Sequence, residues 1–347
     1  MRNSQPFFSI GVTTYNRQAF LEETLKSLLE QSYQNYEIII GNDCVEKPLT
    51  EKLLGLHDKR LRIINHKKNL GELGNMNSLL KLAKGRYFIW IFDDDPCSPS
   101  LLRIAEKNIR KFNYPLAVYP SFKHVYGSKE VIFRSPKNEI GFLIPGKKFV
   151  NSYFLKKIKI LGCCGFYNTK YLKKIGGVQK LSESKFALHS EYLLIIKSAL
   201  LKKIAYIPEP LLVTRSHCGS WSTNNKDLRY FMQAGYRLIE EAFGIFSHQT
   251  LAKDIVINMR VVIKFILASV VVKIIETHNH FSNKEYLFFT RNIKKIILGN
   301  KTTKKSFEVA QIIDDFNKII IFYKIKAYIK NIVTSHKYDK LKTILKS

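Results

Sequence analysis

The chain has 347 residues, 46% of them hydrophobic, and its 57 Lys and Arg against 28 Asp and Glu leave a formal net charge of +29. That length and apolar content supply one large core or two medium ones, which excludes a disordered or fibrous chain. The basic excess suits nucleic acid, an anionic membrane surface or a phosphorylated ligand, and equally a compositional drift toward Lys, Ile and Asn; without an Arg-rich arm, zinc-finger spacing or RNA-binding aromatic signature, nucleic acid is not expected as a partner.

In chain order, residues 7 to 13 read as a strand that begins after only six residues, so a signal peptide is not expected and a cytoplasmic location is. Arg17 to Gln31 reads as a helix with Phe20, Leu21, Leu25, Leu28 and Leu29 on one face, and Tyr36–Gly41 as a second strand. Together they describe a right-handed βαβ unit, with Asn42 and Asp43 at the exit of its second strand. The pattern repeats in the short strand Leu61–Asn65, a helix Gly74–Lys84 stopped by Gly85, and the apolar run Tyr87–Ile91. Directly after that run stands Phe92-Asp93-Asp94-Asp95-Pro96. Three adjacent anions at a strand exit repel one another, which a bound Mg²⁺ or Mn²⁺ relieves; the alternative is a solvated acidic turn closed by Pro96. Ligands bind at the carboxyl ends of such strands, so Thr13–Arg17, Asn42–Asp43 and Asp93–Asp95 are expected around one crevice.

Past a helix at Leu101–Phe112 the pattern becomes mixed, with strand-like Leu116–Tyr119 and Val131–Arg134 opening a second lobe. Gly162-Cys163-Cys164-Gly165 is a run of small residues, and the five cysteines, with no CxxC pair, form neither a disulfide framework nor a zinc site, as suits a reducing cytoplasm. Tyr171–Gly177 reads as a short helix with a glycine stop, Ser190–Leu201 as a helix and Ile204–Ile207 as a strand. From about Asp227 onward Gly and Pro almost vanish and helical periodicity dominates. The expected division is therefore residues 1–112, 113–225 and 226–347, the last a basic helical region. Its most apolar stretch, Ile255–Ile275, carries Lys264 and Lys273 about 180° apart on a helix, and reads as a buried helix rather than a membrane span.

Several of these segments form an ordered set: Ser9–Arg17, Gln31–Glu37, Asn42-Asp43, Asn69-Leu70-Gly71 with Asn77 and Ala83-Lys84-Gly85, Phe92–Pro99, Ile175-Gly176-Gly177 with Leu188–Leu194, and Tyr206–Leu212 with Arg215–Ser220. In this order, from residue 7 to about residue 220, the chain resembles the family-2 glycosyltransferases of the GT-A fold, which move a sugar from a nucleotide-diphosphate donor. The resemblance implies an α/β fold: a GT-A-type, Rossmann-like mixed sheet flanked by helices, with an α-helical C-terminal extension. It also implies a donor site made by Thr13, Thr14, Tyr15, Arg17, Asn42, Asp43, Asn77, Asp93 and Arg215.

Each position has a physical reading beside the resemblance. Asp43 can accept a hydrogen bond from a base imide such as uracil N3–H, or close an Asx turn. Tyr15 can stack on the base or pack at a strand end, while Thr13 and Thr14 offer backbone and hydroxyl contacts. Arg17 pairs with phosphate, caps the crevice, or remains a solvated first-turn residue. Where relatives often carry an Arg before Asn77 this chain has Met76, which leaves Asn75 and Asn77 to supply neutral hydrogen bonds; Glu72 in the same loop has no assigned role. Counting back from Pro99 in the family pattern makes Asp94 the principal metal ligand, with Asp95 beside it, and puts Phe92 where relatives have their leading Asp. Asp93 falls on the variable position.

In the second lobe Glu191 stands where the family usually has an Asp as catalytic base. A carboxylate at a helix start can take the acceptor hydroxyl's proton, or can be there for the helix dipole. His189 and Glu183 are weaker candidates. Arg215 and His217 lie in a segment similar to the family's basic closing loop, Arg215 toward the diphosphate and His217 toward the metal, with Trp221 placed to close the loop or stack on a sugar.

The expectation is thus an inverting glycosyltransferase that uses Mn²⁺ or Mg²⁺ and a nucleotide-sugar, UDP-linked by resemblance, to extend a saccharide or lipid-linked acceptor in cell-surface polysaccharide synthesis. No protein nucleophile is required. Lys324, Lys326, Lys330, Lys337, Lys340, Lys342 and Lys346 either draw the enzyme to the anionic inner face of a membrane or form a solvated helical face. Two rivals remain: a nucleotidyltransferase, for which Thr13–Arg17 lacks the Gly-rich basic loop, and a non-catalytic sugar- or nucleic-acid-binding protein on a degenerate transferase fold, suggested by Met76, Phe92 and Glu191.

Overall fold

A computed structural model describes residues 5–127, 131–217, 228–248, 259–266, 269 and 291–292. The chain divides into two compact units, Met1–Asn225 and Lys226–Ser347.

The first unit is built on one eight-stranded mixed sheet. Its strands are β1 (Phe8–Thr14), β2 (Tyr36–Asn42), β3 (Leu61–Asn65), β4 (Tyr87–Phe92), β5 (Ala117–Tyr126), β6 (Phe142–Ile144), β7 (Phe166–Asn168) and β8 (Ile204–Ser216), and they lie in the order β3-β2-β1-β4-β7-β5-β8-β6. β3, β2, β1 and β4 run parallel, as the near-continuous apolar runs Phe8–Val12 and Tyr87–Ile91 require of strands covered on both faces. β7 enters antiparallel between β4 and β5, and β6 closes the far edge antiparallel to β8.

On one face β1 contributes Phe8, Ile10 and Val12 to a core shared with Leu21, Leu25 and Leu28 of helix α1 (Gln18–Leu29), and with Leu101, Ile104 and Ala105 of the later helix Leu101–Lys111. After the short helix α2 (Glu51–Leu54), helix α3 (Gly71–Leu82) lies on the opposite face and comes very close to the sheet. A Cβ on Gly41 would stand 2.0 Å from Asn75 Oδ1, and the Asn75 amide donates to the Gly41 carbonyl at 2.8 Å. Met76, also on α3, is fully buried, and its carbonyl accepts from Trp90 Nε1 at 2.9 Å. An arginine there would bury a charge, so the departure at Met76 is a packing choice.

The remaining helices of this unit are α4 (Leu101–Lys111), α5 (Gly146–Phe154), α6 (Thr169–Lys174) and α7 (Ser190–Lys197), the last followed by a 3₁₀ turn at Ser198–Leu200. Three sequence expectations are corrected. Val131–Arg134 forms no strand, and the edge strand is Phe142–Ile144 instead. α3 begins three residues before the expected Gly74, with Gly71 taking a positive φ of 71° that other residues rarely adopt. β8 does not stop at Ile207 but runs on to Ser216 through Pro208 and Pro210. The prolines sit where the β5–β8 register shifts and beyond the end of β6, so that no ladder needs their missing N–H.

In the second unit helix α8 (Leu228–Phe246) buries Leu228, Met232, Leu238, Ile239, Ala242, Phe243 and Phe246 at helical spacing. Of the apolar stretch Ile255–Ile275, residues 259–266 are helical, with Met259, Val262, Ile263 and Ile266 buried. Among the described residues no helix is long and apolar enough to cross a membrane. Trp221 and the lysines from Lys324 to Lys346 lie outside the described residues.

Candidate functional site

The strand order reverses direction at β1, with β2 and β3 to one side and β4 to the other, so a crevice opens at the carboxyl ends of β1 and β4. Thr14 is the last residue of β1 and Asp93 the first after β4. Thr14 Oγ1 donates to Asp93 Oδ2 at 2.7 Å, and Thr24 on α1 donates to the Asp93 carbonyl at 2.9 Å. Arg17, just before α1, lays its guanidinium across two acids: Nε reaches Asp93 Oδ2 at 3.2 Å, Nη2 pairs with Asp93 Oδ1, and Nη1 meets Asp94 Oδ2 at 2.9 Å. Burial pushes the Asp93 carboxyl up to about 6, against the opposing pull of Arg17.

The same Asp94 oxygen is 3.0 Å from His217 Nε2. The His217 ring lies on Phe20 of α1 with centroids 4.4 Å apart, and the Arg215 guanidinium sits 5.4 Å above the same Phe20 ring. Sequence periodicity assigned Phe20 to the core face of its helix; in the structure it is only half-buried and orients the end of β8.

Arg215 and Asp95 act differently from expectation. The Arg215 guanidinium is buried and held by both oxygens of Glu23, at 2.7 and 2.6 Å, so it tethers β8 to α1. Its backbone N–H donates to Asp95 Oδ1 at 2.9 Å. Asp95 is buried, and burial with the neighbouring Asp94 charge raises its carboxyl well above the usual range. One Asp95 oxygen thus anchors the backbone of β8, while the expected ligands Asp94 and His217 meet directly. Among the described residues no three His, Cys, Asp or Glu side chains come together in metal-ligating geometry.

On the β2 side, Asp43 is buried, its N–H donates to the Thr14 carbonyl at 3.1 Å and its Oδ1 accepts from Leu70 N–H at 2.7 Å. Asn42 is spent on its own loop, donating to the carbonyls of Cys44 and Lys47 and to Asn65 Oδ1, and accepting from Cys44 N–H. Asn77 exchanges two hydrogen bonds with the Val178 backbone, at 2.7 and 3.1 Å. Both amides thus build the walls, whereas the sequence put them on the ligand. Thr13 is buried, and Tyr15 keeps a 53% exposed ring at the β1 exit, as a stacking surface needs. Between α1 and the loop after β2 a cavity of about 420 Å³ is lined by Thr14, Arg17, Asn42, Lys47 and Leu49, among others.

Glu191 occupies the first turn of α7, half-buried, with Oε2 accepting from Gly162 N–H at 3.2 Å. Gly162 allows that approach, because a Cβ there would stand 2.4 Å from the Glu191 carbonyl. Burial raises the Glu191 carboxyl, opposed by the Gly162 hydrogen bond. His189, one residue before the helix, holds a φ of 57°, and burial lowers its imidazole to about 4. Glu183 instead pairs with Lys180 at 2.8 Å.

Comparison with known proteins agrees with this architecture. Residues 9–176 match the model of the family described as Glycosyl transferase family 2. A putative colanic acid biosynthesis glycosyl transferase of Escherichia coli is 36% identical over 106 residues, 30% of this chain and 38% of that one. A UDP-Glc:alpha-D-GlcNAc-diphosphoundecaprenol beta-1,3-glucosyltransferase of Escherichia coli is 27% identical over 155 residues, 45% of this chain and 57% of that one. The match therefore spans less than two thirds of the length of these relatives. Among solved structures, residues 1–349 of TarS from S. aureus superpose with a TM-score of 0.61 at 15% identity, covering 92% of this chain and 91% of that one. Residues 9–176 of this chain thus form a glycosyl transferase family 2 domain, and the fold that carries it is GT-A.

Proposed function

We propose that the protein is an inverting glycosyltransferase that transfers a hexose unit from a UDP-sugar to a saccharide or lipid-linked acceptor in cell-surface polysaccharide synthesis. The observation that carries the reading is Asp94 at the β1/β4 crevice, reached by Arg17 at 2.9 Å and His217 at 3.0 Å. UDP is the preferred donor nucleotide because TarS has been solved with UDP and because the printed name of the E. coli glucosyltransferase specifies a UDP-sugar. That name also specifies a diphosphoundecaprenol acceptor, and a chain of net charge +29 suits an anionic membrane where such acceptors sit.

A divalent ion fits Asp94 and His217. Asp94 and His217, which meet at 3.0 Å, would hold it with a carboxylate oxygen and an imidazole nitrogen. When bound there, Mg²⁺ or Mn²⁺ would neutralise the charge that grows on the departing diphosphate. Arg17 is the second cation for that charge once it leaves the carboxylates. Asp43 keeps one carboxylate oxygen for the base imide, and Tyr15 stacks on the ring. At the reacting carbon, the acceptor's hydroxyl oxygen bonds to the anomeric carbon as the bond to the leaving phosphate oxygen breaks; Glu191 takes the hydroxyl proton, and the electron pair departs with UDP. Attack opposite the leaving group inverts the centre.

Calorimetric titration of the purified protein with UDP, with and without Mn²⁺, tests this. Metal-dependent UDP binding is expected in the wild type and its loss, by a factor of about 100, in Asp94→Ala. Unaltered metal-dependent binding in Asp94→Ala sinks the reading.

A further inference from the structure

Residues 178–189, between α6 and α7, lead into the turn that carries Glu191, and they lie on α3. Asn77 holds one end by its two hydrogen bonds with the Val178 backbone. Glu72, in the first turn of α3, holds the other, its Oε2 accepting from Ala187 N–H at 3.0 Å. Between them Gly71 packs so tightly on the segment that a Cβ would stand 2.6 Å from the Lys185 carbonyl. The Ala187 carbonyl in turn accepts from Ser190 N–H at 3.0 Å, and Ser190 Oγ donates to the Gln179 carbonyl at 2.6 Å, which closes the segment onto the start of α7.

The Glu72 side of this arrangement also reaches the donor half. Leu70 N–H donates to Asp43 Oδ1, Asn69 donates to the Asp43 carbonyl, and Asp43 N–H donates to the Thr14 carbonyl. One strap of four residues, Asn69–Glu72, therefore has the base-reading acid at one end and the support of Glu191 at the other. Glu72 carries a charge history consistent with that place. Burial pushes its carboxyl up to about 7, the Ala187 hydrogen bond opposes this, and the charges of Glu191, Arg17 and Asp94 all act on it. A surface first-turn glutamate would feel none of these.

We propose that Glu72 is a positioning residue for glycosyl transfer: through Ala187 and Ser190 it fixes where Glu191 stands, and through Leu70 it ties that position to Asp43 on the donor side. This rests on the reading of Glu191 as the proton acceptor. Glu72 itself touches no reacting atom. Its role is geometric, because a displacement of about 1 Å in a reacting group can cost about a hundredfold in rate.

The test measures UDP release from UDP-glucose or UDP-N-acetylglucosamine, whichever the wild type turns over, together with UDP affinity by calorimetry, in Glu72→Ala, Glu72→Gln and Glu191→Gln. Glu72→Ala is expected to lower kcat about 10- to 100-fold with UDP affinity changed less than about threefold, since the nucleotide contacts remain. Glu72→Gln retains an oxygen acceptor for Ala187 N–H and is expected to restore kcat to within about threefold of wild type. A general structural defect would move both kcat and UDP affinity. Wild-type kcat in Glu72→Ala, loss of UDP binding in that variant, or a Gln variant as slow as Ala each overturns the proposal. If Glu191→Gln is inactive while Glu72→Ala is unimpaired, this inference alone fails; if Glu191→Gln is fully active, the base assignment beneath it fails.

Discussion

The carboxylates on the two sides of the proposed site are held by different kinds of partner. On the proposed donor side Asp93 and Asp94 are held by the Arg17 guanidinium, with Thr14 and His217 completing the set, so negative charge is concentrated and answered by a guanidinium and strong donors. On the proposed acceptor side Glu191 and Glu72 have no described guanidinium partner and each accept one described backbone N–H, from Gly162 and Ala187; burial raises both carboxyls, as it raises that of Asp93. A charge-answered acid suits a diphosphate and its ion. A poorly solvated carboxylate near neutral pH suits proton removal from a sugar hydroxyl.

The comparison breaks most visibly at Glu191. Glu191→Gln removes the proton acceptor and leaves the donor side intact, so turnover is expected to fall about 100-fold or more with UDP affinity unchanged. The pH profile gives an independent sign. The reactive form is the ionised one, and burial raises its pKa, so kcat should rise with pH and be lost as pH falls through a value above the ordinary glutamate range. A wild-type limb at or below that range, measured by initial rates from pH 4 to 9, contradicts the acceptor-side environment described above.

A smaller effect is expected where α1 is tied to β8. Glu23→Ala leaves the buried Arg215 guanidinium without its bidentate partner, and because Glu23 itself is 39% exposed the cost is set at about 2 kcal/mol, below that of a fully buried pair. In a domain of this size that lowers Tm by about 4–8 °C in a thermal melt. Since Arg215 and His217 share the Phe20 ring, metal-dependent UDP binding should weaken with it. An unchanged melting temperature would mean that the pair contributes nothing to holding β8.

Much of the β1/β4 crevice was legible in the sequence because it is made of contiguous pieces. Phe8–Val12 and Tyr87–Ile91 announce buried parallel strands, and once those are parallel, Thr14 and Asp93 must emerge side by side. What could not be read is set by residues far apart in the chain. Arg215 looked like a phosphate ligand until Glu23, 192 positions away, claimed its guanidinium. Asp95 gives one oxygen to the backbone N–H of residue 215, a contact across 120 positions that the sequence does not announce. Asn42 and Asn77 have the chemistry of ligand-binding amides, and only the positions of Asn65 and Val178 turn them into wall-building ones. Pro208 and Pro210 hid the length of β8, because a proline inside a strand is tolerated at a bulge, and the bulge that β8 itself carries there leaves no mark in a single sequence. Glu72 carried no signal at all beyond its type.

Arg17 offers the subtlest test, because it serves the donor side in two incompatible ways. With its guanidinium on Asp93 and Asp94 it takes the place of a cation, so an ion arriving without nucleotide must displace it from Asp94 Oδ2. When the diphosphate is present, the guanidinium has a better-matched partner and leaves that oxygen to the ion. Arg17→Gln therefore should bind Mn²⁺ about tenfold more tightly than wild type in the absence of nucleotide, a change of about 1.4 kcal/mol, and bind UDP more weakly in its presence. Titration of nucleotide-free protein with Mn²⁺ followed by electron paramagnetic resonance reads the first effect, and calorimetry with UDP the second. Equal or weaker Mn²⁺ binding in the nucleotide-free variant would mean that Arg17 and the ion share Asp94 without competition, and the metal would then have to be seated on the oxygen that Arg17 leaves alone.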